Sequence, residues 1–380
     1  MRIIHTADWH LGRVFHEVNL TEDQSHVLDQ MVQIIEDEKP DAVLVSGDIY
    51  DRSIPPVVAT ELLSDVLARI IKGAKVPVFM IAGNHDSGER LAFGAELFEG
   101  QGLYVSGPVG AQRNIRMSDE HGEIDIVMMP YAQAEHVRSE GMDEDARTHD
   151  DAIAAQVARS HNNGLASRSI ALAHAFVENM LESDSERLLS VGGAGTVSAN
   201  HFSSYSYTAL GHLHGPQKVS EGVWYSGSIL KYSFSEADHH KGCVIAEIDG
   251  AGNASTSFIE LTPRRDLRRV EGLFQDLIKP TGSRKEREDY IEFNLLDKSL
   301  VLDAMARIRE VYPNAMVVRR PQQELRSDAP LHVGDRRKVN PQELFAGFFE
   351  YVTNEKIAKP EQEAFATTLQ QVESIEEEGR

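Results

Sequence analysis

The residues of this chain best suited to chemistry are carboxylates, imidazoles and one carboxamide, gathered in short clusters. They are Asp8-x-His10, Gly47-Asp48-x-x-Asp51, Gly83-Asn84-His85-Asp86, His174 and Gly211-His212-Leu213-His214. Singly, each has an ordinary explanation. Gly-Asp after a strand commonly makes a turn, and a histidine ending an apolar strand is ordinarily a satisfied core residue. Two imidazoles flanking one apolar residue are harder to dismiss, because on an extended segment they point the same way. Every cluster follows or ends a segment that reads as a strand, so all of them can converge on one sheet edge. Carboxylate, imidazole and carboxamide without thiolate suit Mn²⁺, Fe²⁺ or Zn²⁺ and argue against a closed structural zinc site. Seven such side chains exceed what one ion takes from a protein. Two ions sharing a carboxylate would use them all, with Asp48 as the bridge. Ions about 3.5–4 Å apart stabilise both the attacking and the leaving oxygen of a phosphoryl displacement, so phosphoester hydrolysis is the chemistry this set suits.

The elements that must position these groups alternate. Residues 2–7 read as a strand, and Thr21 with Gln24 reads as a capping box opening a helix with Val27, Leu28, Met31, Val32, Ile34 and Ile35 on its apolar stripe. Residues 43–47 form an all-apolar strand delivering Asp48. A helix over 57–72 follows Pro55-Pro56, with Gly73 as its stop, and residues 77–82 form the third strand, delivering Asn84 and His85. This β-α-β-α-β order predicts a mainly parallel sheet. Strands at 124–130 and 169–174 flank a helix near 150–161. Shorter strands at 207–211, 223–226, 243–248 and 255–261 predict a second sheet packed on the first.

A boundary is expected at Pro263-Arg264-Arg265, dividing the chain into 1–262, a small α+β unit over 263–338 and terminal helices over 339–380. Within the small unit the pattern gives strands at 290–296 and 316–319 around a helix at 300–311. The terminal helices carry Leu344, Phe345, Phe348, Phe349 and Val352, then Phe365, Leu369 and Val372, at helical spacing. That stripe is more than a segment of this size buries alone.

At 380 residues, 41% hydrophobic and 26% charged, the composition is that of a globular protein of two or three domains. No apolar run approaches the roughly 18 residues of a membrane span. The chain enters a strand pattern at Met1 with no leader, and the lone Cys243 excludes an internal disulfide framework; both favour a cytoplasmic location. A net charge of −22 speaks against non-specific nucleic-acid affinity. Its distribution softens that, since residues 261–340 carry 17 basic and 13 acidic side chains, a net +4.

In order and over roughly residues 1–260, the clusters resemble the calcineurin-like metallophosphoesterases. Residues 5–12 (His5-Thr6-Ala7-Asp8-Trp9-His10-Leu11-Gly12), 212–217 (His212-Leu213-His214-Gly215-Pro216-Gln217) and 225–228 (Tyr225-Ser226-Gly227-Ser228) are similar to the SbcD branch of that family. This branch supplies the nuclease subunit of bacterial SbcC–SbcD DNA repair complexes. The resemblance implies a four-layer α-β-β-α sandwich with a small α+β capping domain and C-terminal helices. It implies that Asp8, His10 and His214 hold one ion with Asp48, and that Asn84, His174 and His212 hold the other, again with Asp48. His85 takes the position of the family's catalytic histidine. Asp51 and Asp86 fall beside the ligands, with histidine at the position of Asp51 in some relatives.

The implied function is a two-metal DNA nuclease, with Mn²⁺ as the ion. It would act as a double-strand 3′–5′ exonuclease and single-strand endonuclease that processes DNA ends and hairpins in repair and recombination. The implied partners are DNA and an SbcC-type ATPase whose coiled coil receives the terminal helices. The assembly would be a nucleoid-associated heterotetramer built on a homodimer, to which the 57–72 helix contributes, with no membrane contact. Candidate phosphate contacts of the capping domain are Arg264, Arg265, Arg268, Arg269, Arg319, Arg320, Arg336 and Arg337. Two readings compete. A stand-alone phosphodiesterase acting on small nucleotides would share every ligand, and a DNA-end-binding scaffold would have lost catalysis.

Overall fold

The structure, a computed structural model, describes residues 1–162, 164–186, 195–320 and 356–378, with positions 342, 345–347 and 349–350. Contacts divide the chain into two compact units, Met1–Asp266 and Leu267–Arg380.

Twelve strands build the two six-stranded sheets of the first unit. They are β1 (Arg2–Thr6), β2 (Ala42–Ser46), β3 (Val78–Ile81), β4 (Leu103–Ser106), β5 (Arg113–Asp119), β6 (Gly122–Met129), β7 (Ser169–His174), β8 (Tyr207–Gly211), β9 (Gln217–Ser220), β10 (Val223–Tyr225), β11 (Gly242–Ile248) and β12 (Ala254–Glu260). One six-stranded sheet runs β12-β11-β1-β2-β3-β4, and the other runs β9-β10-β8-β7-β6-β5. The β1-β2-β3-β4 core is parallel, and β11 and β12 extend it antiparallel.

The alternation of the strands decides the packing. Ile3, Leu44, Phe79 and Ile81 of the first sheet meet Ile124, Ile126, Met128, Ile170, Leu172, Tyr207 and Ala209 of the second in one dry layer. Alternate residues of the second sheet, Val127, Met129, Ala171 and Ala173, turn outward to pack with Ile153. Helix α1 (Thr21–Glu38) buries Val27, Leu28, Met31, Val32 and Ile35, and α2 (Val57–Ala68) buries Ala59, Leu63 and Val66. On the other side lies α3 (His149–Asn162). The result is the four-layer α-β-β-α sandwich that the resemblance implied.

The strands expected at 243–248 and 255–261 in the second sheet extend the first instead, as β11 and β12, and three local readings are corrected. The capping box is not made: the Thr21 amide and hydroxyl both donate to Asn19 Oδ1, at 2.8 and 2.6 Å, and Gln24 turns inward. The 57–72 helix loosens after Ala68 into a π-type turn over Arg69–Ala74, stopped by Lys75 at φ 61° rather than by Gly73. The 300–311 helix forms only over Ala304–Arg309, because Asp303 is left-handed at φ 53°.

In the second unit Leu267–Gly272, Tyr290–Leu295 and Ala315–Arg319 pair side by side as a three-stranded parallel sheet. Phe274, Ile291, Phe293, Ile308 and Tyr312 form its core. Phe345 stacks on Phe365 at 3.9 Å between ring centroids, and the helix bearing Phe365 spans Lys359–Glu378. The boundary expected at 338/339, and Leu344, Phe348 and Val352, lie outside the described residues, as does the side chain of Val372. Among the described residues no helix is long and apolar enough to cross a membrane.

Candidate metal centre

β1, β2 and β3 run in register, Thr6 opposite Val45 and Ser46 opposite Ile81, so their following loops open at one edge. The second sheet aligns His174 with Gly211 at the ends of β7 and β8. The loops after β1 and β2 continue the ladder, since the Asp8 amide donates to Gly47 O at 3.1 Å and the His10 amide to Asp48 O at 2.9 Å. Four of the seven expected ligands sit in the left-handed backbone region: Asp8 (φ 53°), His10 (φ 45°), Asp48 (φ 48°) and His212 (φ 103°). Such conformations cost about 1–3 kcal/mol each and persist where surrounding structure imposes them. Glycines make the close approach possible. A Cβ on Gly47 would stand 2.4 Å from His174 Nδ1, and one on Gly83 would stand 2.1 Å from Asp48 Oδ1.

The side chains converge. Asp8, His10 and His214 bring ligand atoms within 4.8 Å of one another, as do Asp8, Asp48 and His174, and likewise His10, Asp51 and His85. Asp48 Oδ2 lies 3.6 Å from His10 Nε2 and 3.6 Å from His174 Nε2. The other oxygen of Asp48 accepts the His85 amide at 2.9 Å. His174 donates Nδ1–H to Ser46 O at 2.9 Å, which leaves its Nε2 lone pair facing Asn84 Oδ1, also at 2.9 Å. His212 Nδ1 lies 3.3 Å from that same oxygen. Both oxygens of Asp8 accept the His212 amide, at 3.0 and 3.1 Å. Asp8 also lies near His174, but through Nδ1, whose proton is committed to Ser46. Asp48 is therefore the carboxylate shared by the two groups of histidines.

The charge balance points the same way. Burial, and then Asp48, raises the pKa of Asp8. Burial lowers those of His10, His174 and His212, so the imidazoles are held neutral with lone pairs available. His10 Nε2 and His214 Nε2 stand 3.0 Å apart, and His10 Nδ1 is buried without a hydrogen-bond partner. Closely opposed imidazole nitrogens beside buried carboxylates are what divalent ions would relieve. The donor set fits.

His85 sits at the edge of this cluster. Its Nδ1–H donates to Asp51 O at 2.8 Å, and its Nε2 is 4.0 Å from Asp48 Oδ2. The carboxylate of Asp51 instead pairs with Arg13 at 2.9 Å, while its Oδ1 stays 3.8 Å from His10 Nδ1. Asp86 is a staple, accepting the amides of Gly83, Ile49 and Tyr50 at 2.9, 3.1 and 2.9 Å.

Several groups that position the centre carry no pattern in the sequence. Gln24 Nε2 donates to His10 O at 2.7 Å and Trp9 O at 3.1 Å, and its Oε1 accepts the Gly12 amide at 3.0 Å. Tyr232 donates to Trp9 O, and its ring lies edge-on to His10. Glu236 and Lys241 form a buried ion pair beside His214. Only Gln24 gave a signal, and it read as a capping box.

The candidate phosphate-contact arginines are mostly engaged. Arg264 and Arg265 belong to the first unit and pair with Glu22 and Asp23 at the start of α1. In the second unit Arg268 pairs with Asp289 at 2.7 Å, and Arg269 and Arg319 grip the buried Glu292 at 2.9 and 2.6 Å. Arg320 is half-buried, and Arg336 and Arg337 lie outside the described residues.

Residues 1–216 match the family model described as calcineurin-like phosphoesterase, and residues 263–353 match the SbcD_C model, described as the Type 5 capsule protein repressor C-terminal domain. The chain is 32% identical over 363 residues to the SbcD subunit of the SbcCD nuclease of Staphylococcus epidermidis, covering 94% of this chain and 95% of that protein. The chain belongs to the SbcD family of calcineurin-like phosphoesterases. A second SbcD relative, from the SbcCD nuclease of Staphylococcus saprophyticus, is 32% identical over 359 residues, covering 94% of each protein. Among solved structures, a dimetal phosphatase from Danio rerio aligns with 69% of this chain and 99% of its own length, at 13% identity and a TM-score of 0.39. The strand-end clusters that carry the SbcD resemblance are the same ones the fold brings to one edge.

Proposed function

We propose that this chain is a metal-dependent phosphodiesterase that cleaves DNA as the nuclease partner of an SbcC-type ATPase. The observation that carries the reading is the gathering of six ligand-type side chains around Asp48, with His85 held at their edge by Asp51 O. Asp8, His10 and His214 with Asp48 would hold one divalent ion, and Asn84, His174 and His212 with Asp48 the other. When bound, the pair supplies activation of water and neutralisation of charge on the phosphoryl oxygens. The chain supplies orientation and a proton. With Nδ1–H fixed on Asp51 O, a protonated His85 has only Nε2–H left to offer, directed at the leaving sugar oxygen.

The finer assignments form part of the same proposal. Mn²⁺ is the working ion, the hydrolysis is 3′–5′ on duplex ends and endonucleolytic on single strands, and the assembly is a homodimer within a heterotetramer. Arg268, Arg269 and Arg319 of the second unit contact the DNA backbone by exchanging their carboxylate partners for phosphates, Arg320 contacts it as well, and Arg264 and Arg265 do the same from the first unit. The terminal helices dock on the coiled-coil base of the ATPase.

The deciding assay is Mn²⁺-dependent hydrolysis of duplex DNA with one blocked end, with and without the ATPase and ATP. Cleavage from the free end, with the hairpin or blocked end opened when ATPase and ATP are present, is expected. Hydrolysis confined to small nucleotide diesters, or binding of ends without cleavage, would overturn the proposal.

A further inference from the structure

His214 is gripped at three points by charged groups that the two-ion chemistry does not itself require. Its amide donates to Glu186 Oε1 at 2.7 Å, and its carbonyl accepts from Lys241 Nζ at 2.7 Å. Its Nδ1 lies 2.6 Å from Ser185 Oγ and 3.3 Å from Glu236 Oε1. Ser185 also hydrogen-bonds the same Glu236 oxygen. The second Glu236 oxygen accepts from Lys241 at 2.5 Å, and Lys241 donates to Ser228 Oγ at 2.9 Å. Glu236 is completely buried and Lys241 nearly so.

We infer that Glu236, acting through the Ser185 hydroxyl, is a positioning residue that fixes the tautomer of His214 and so tunes the ion-binding side formed by Asp8, His10 and His214.

The direction of the chain of hydrogen bonds follows from counting protons. Lys241 has only donors, and an ionised Glu236 has only acceptors. The Lys241 ammonium on its second oxygen keeps the buried Glu236 carboxylate an acceptor. Ser185 has one proton, which goes to Glu236, so its lone pair takes Nδ1–H from His214. At 3.3 Å the direct approach of Glu236 to Nδ1 is longer than a good hydrogen bond, so the Ser185 hydroxyl carries the contact. With a proton so placed on Nδ1, the ring directs Nε2 at the centre, where it faces His10 Nε2 at 3.0 Å. The segment carrying Ser185 is itself anchored. Leu181 exchanges two bonds with Gln217, at 3.1 and 2.8 Å, and the Asp184 amide donates to Ser235 Oγ at 2.9 Å. Gln217 and His214, quoted together in the sequence for their family resemblance, thus serve one end, the seating of the Ser185 hydroxyl on the ring.

The inference rests on the two-ion reading for its effect on affinity, but not for the tautomer. The experiment uses the full-length chain with ¹⁵N-labelled histidine. Imidazole nitrogen shifts are recorded on the metal-free protein, and Mn²⁺ binding is measured by calorimetry. Wild type is expected to show His214 as the Nδ1–H form and to bind two Mn²⁺. Glu236→Gln should give mixed His214 tautomers and weaken one Mn²⁺ site about 10- to 100-fold, as loss of a partner behind a ligand histidine does elsewhere. Ser185→Ala keeps the buried ion pair and decides the matter if Glu236→Gln fails to fold; it should move both readouts the same way, and Ser185→Thr should restore them. An unchanged tautomer with both Mn²⁺ affinities within twofold of wild type in Ser185→Ala would overturn the inference. If wild type bound no Mn²⁺, the two-ion reading would fall, while the tautomer comparison would still decide the role of Glu236.

Discussion

His85 donates its Nδ1–H to the backbone carbonyl of Asp51 at 2.8 Å, so the neighbour that orients the candidate acid does so through its main chain. The side chain of Asp51 is spent elsewhere, on Arg13 at 2.9 Å. This division separates two residues that look equivalent in the sequence.

For His85 the outcome expected of His85→Asn, whose amide can keep the bond to Asp51, is a fall in kcat of about 10²–10⁴-fold. Mn²⁺ stoichiometry should stay at two. Single-turnover cleavage with calorimetry on the same sample measures both, and turnover like wild type would remove the histidine from the chemistry.

Asp51→Asn should behave quite differently. The carbonyl that holds His85 remains, so kcat should change by less than about tenfold, a barrier change of under about 1.4 kcal/mol. The weakened contact to Arg13 should cost about 1 kcal/mol of stability, read by urea unfolding. Loss of a bound Mn²⁺ in this variant would make Asp51 a ligand after all.

Gln24 carries the loop from Asp8 to Gly12. Gln24→Ala takes the acceptor from the Gly12 amide and one donor each from the Trp9 and His10 carbonyls, which keep Tyr232 and the Arg13 amide, at a cost of about 2 kcal/mol. Gln24→Glu should be no better, because an ionised carboxylate still accepts from Gly12 but cannot donate to those carbonyls. Urea midpoints of the metal-free proteins test this; two variants as stable as wild type would show that the loop holds itself.

Acid should weaken the metal-free fold through buried neutral imidazoles away from the ligands. Burial lowers His5 to about 3 and His149 to about 4, from an ordinary value of 6.5. The unfolded chain therefore takes up these protons first. Stability is full above about pH 6.5 and drains as the pH falls towards the folded values, by about 1.4 kcal/mol per pH unit for each ring. His149→Asn keeps a donor for Ala132 O and removes one such ring. Its unfolding free energy should fall less steeply than wild type between pH 6 and 5, and an identical slope would contradict the assignment.

What the sequence made legible was local. Buried parallel strands are continuous apolar runs, so Ala42–Ser46 and Val78–Ile81 announced themselves, and the expected ligands Asp48 and Asn84 follow directly. The partners that fix those ligands are set by contacts far apart in the chain. Gln24 reaches Tyr232 across 208 positions, and Lys241 meets the His214 carbonyl from a stretch with no periodic pattern. Gln24 shows how a real local signal misleads: Thr21 and Gln24 have capping-box spacing, but buried carbonyls in the Asp8–Gly12 loop claim the amide instead. The arginine-rich segment read as a positive patch, yet Arg269 and Arg319 share one buried carboxylate, Glu292, a pairing that composition alone cannot reveal.

The central claim is that Asp48 serves both ions, because its Oδ2 lies 3.6 Å from a histidine of each group. Calorimetric titration of Asp48→Ala with Mn²⁺ tests it most directly. Wild type should bind two equivalents and Asp48→Ala neither with measurable affinity, whereas Asp8→Ala or His174→Ala should mainly weaken one; an Asp48→Ala protein that binds one Mn²⁺ with wild-type affinity would contradict the account.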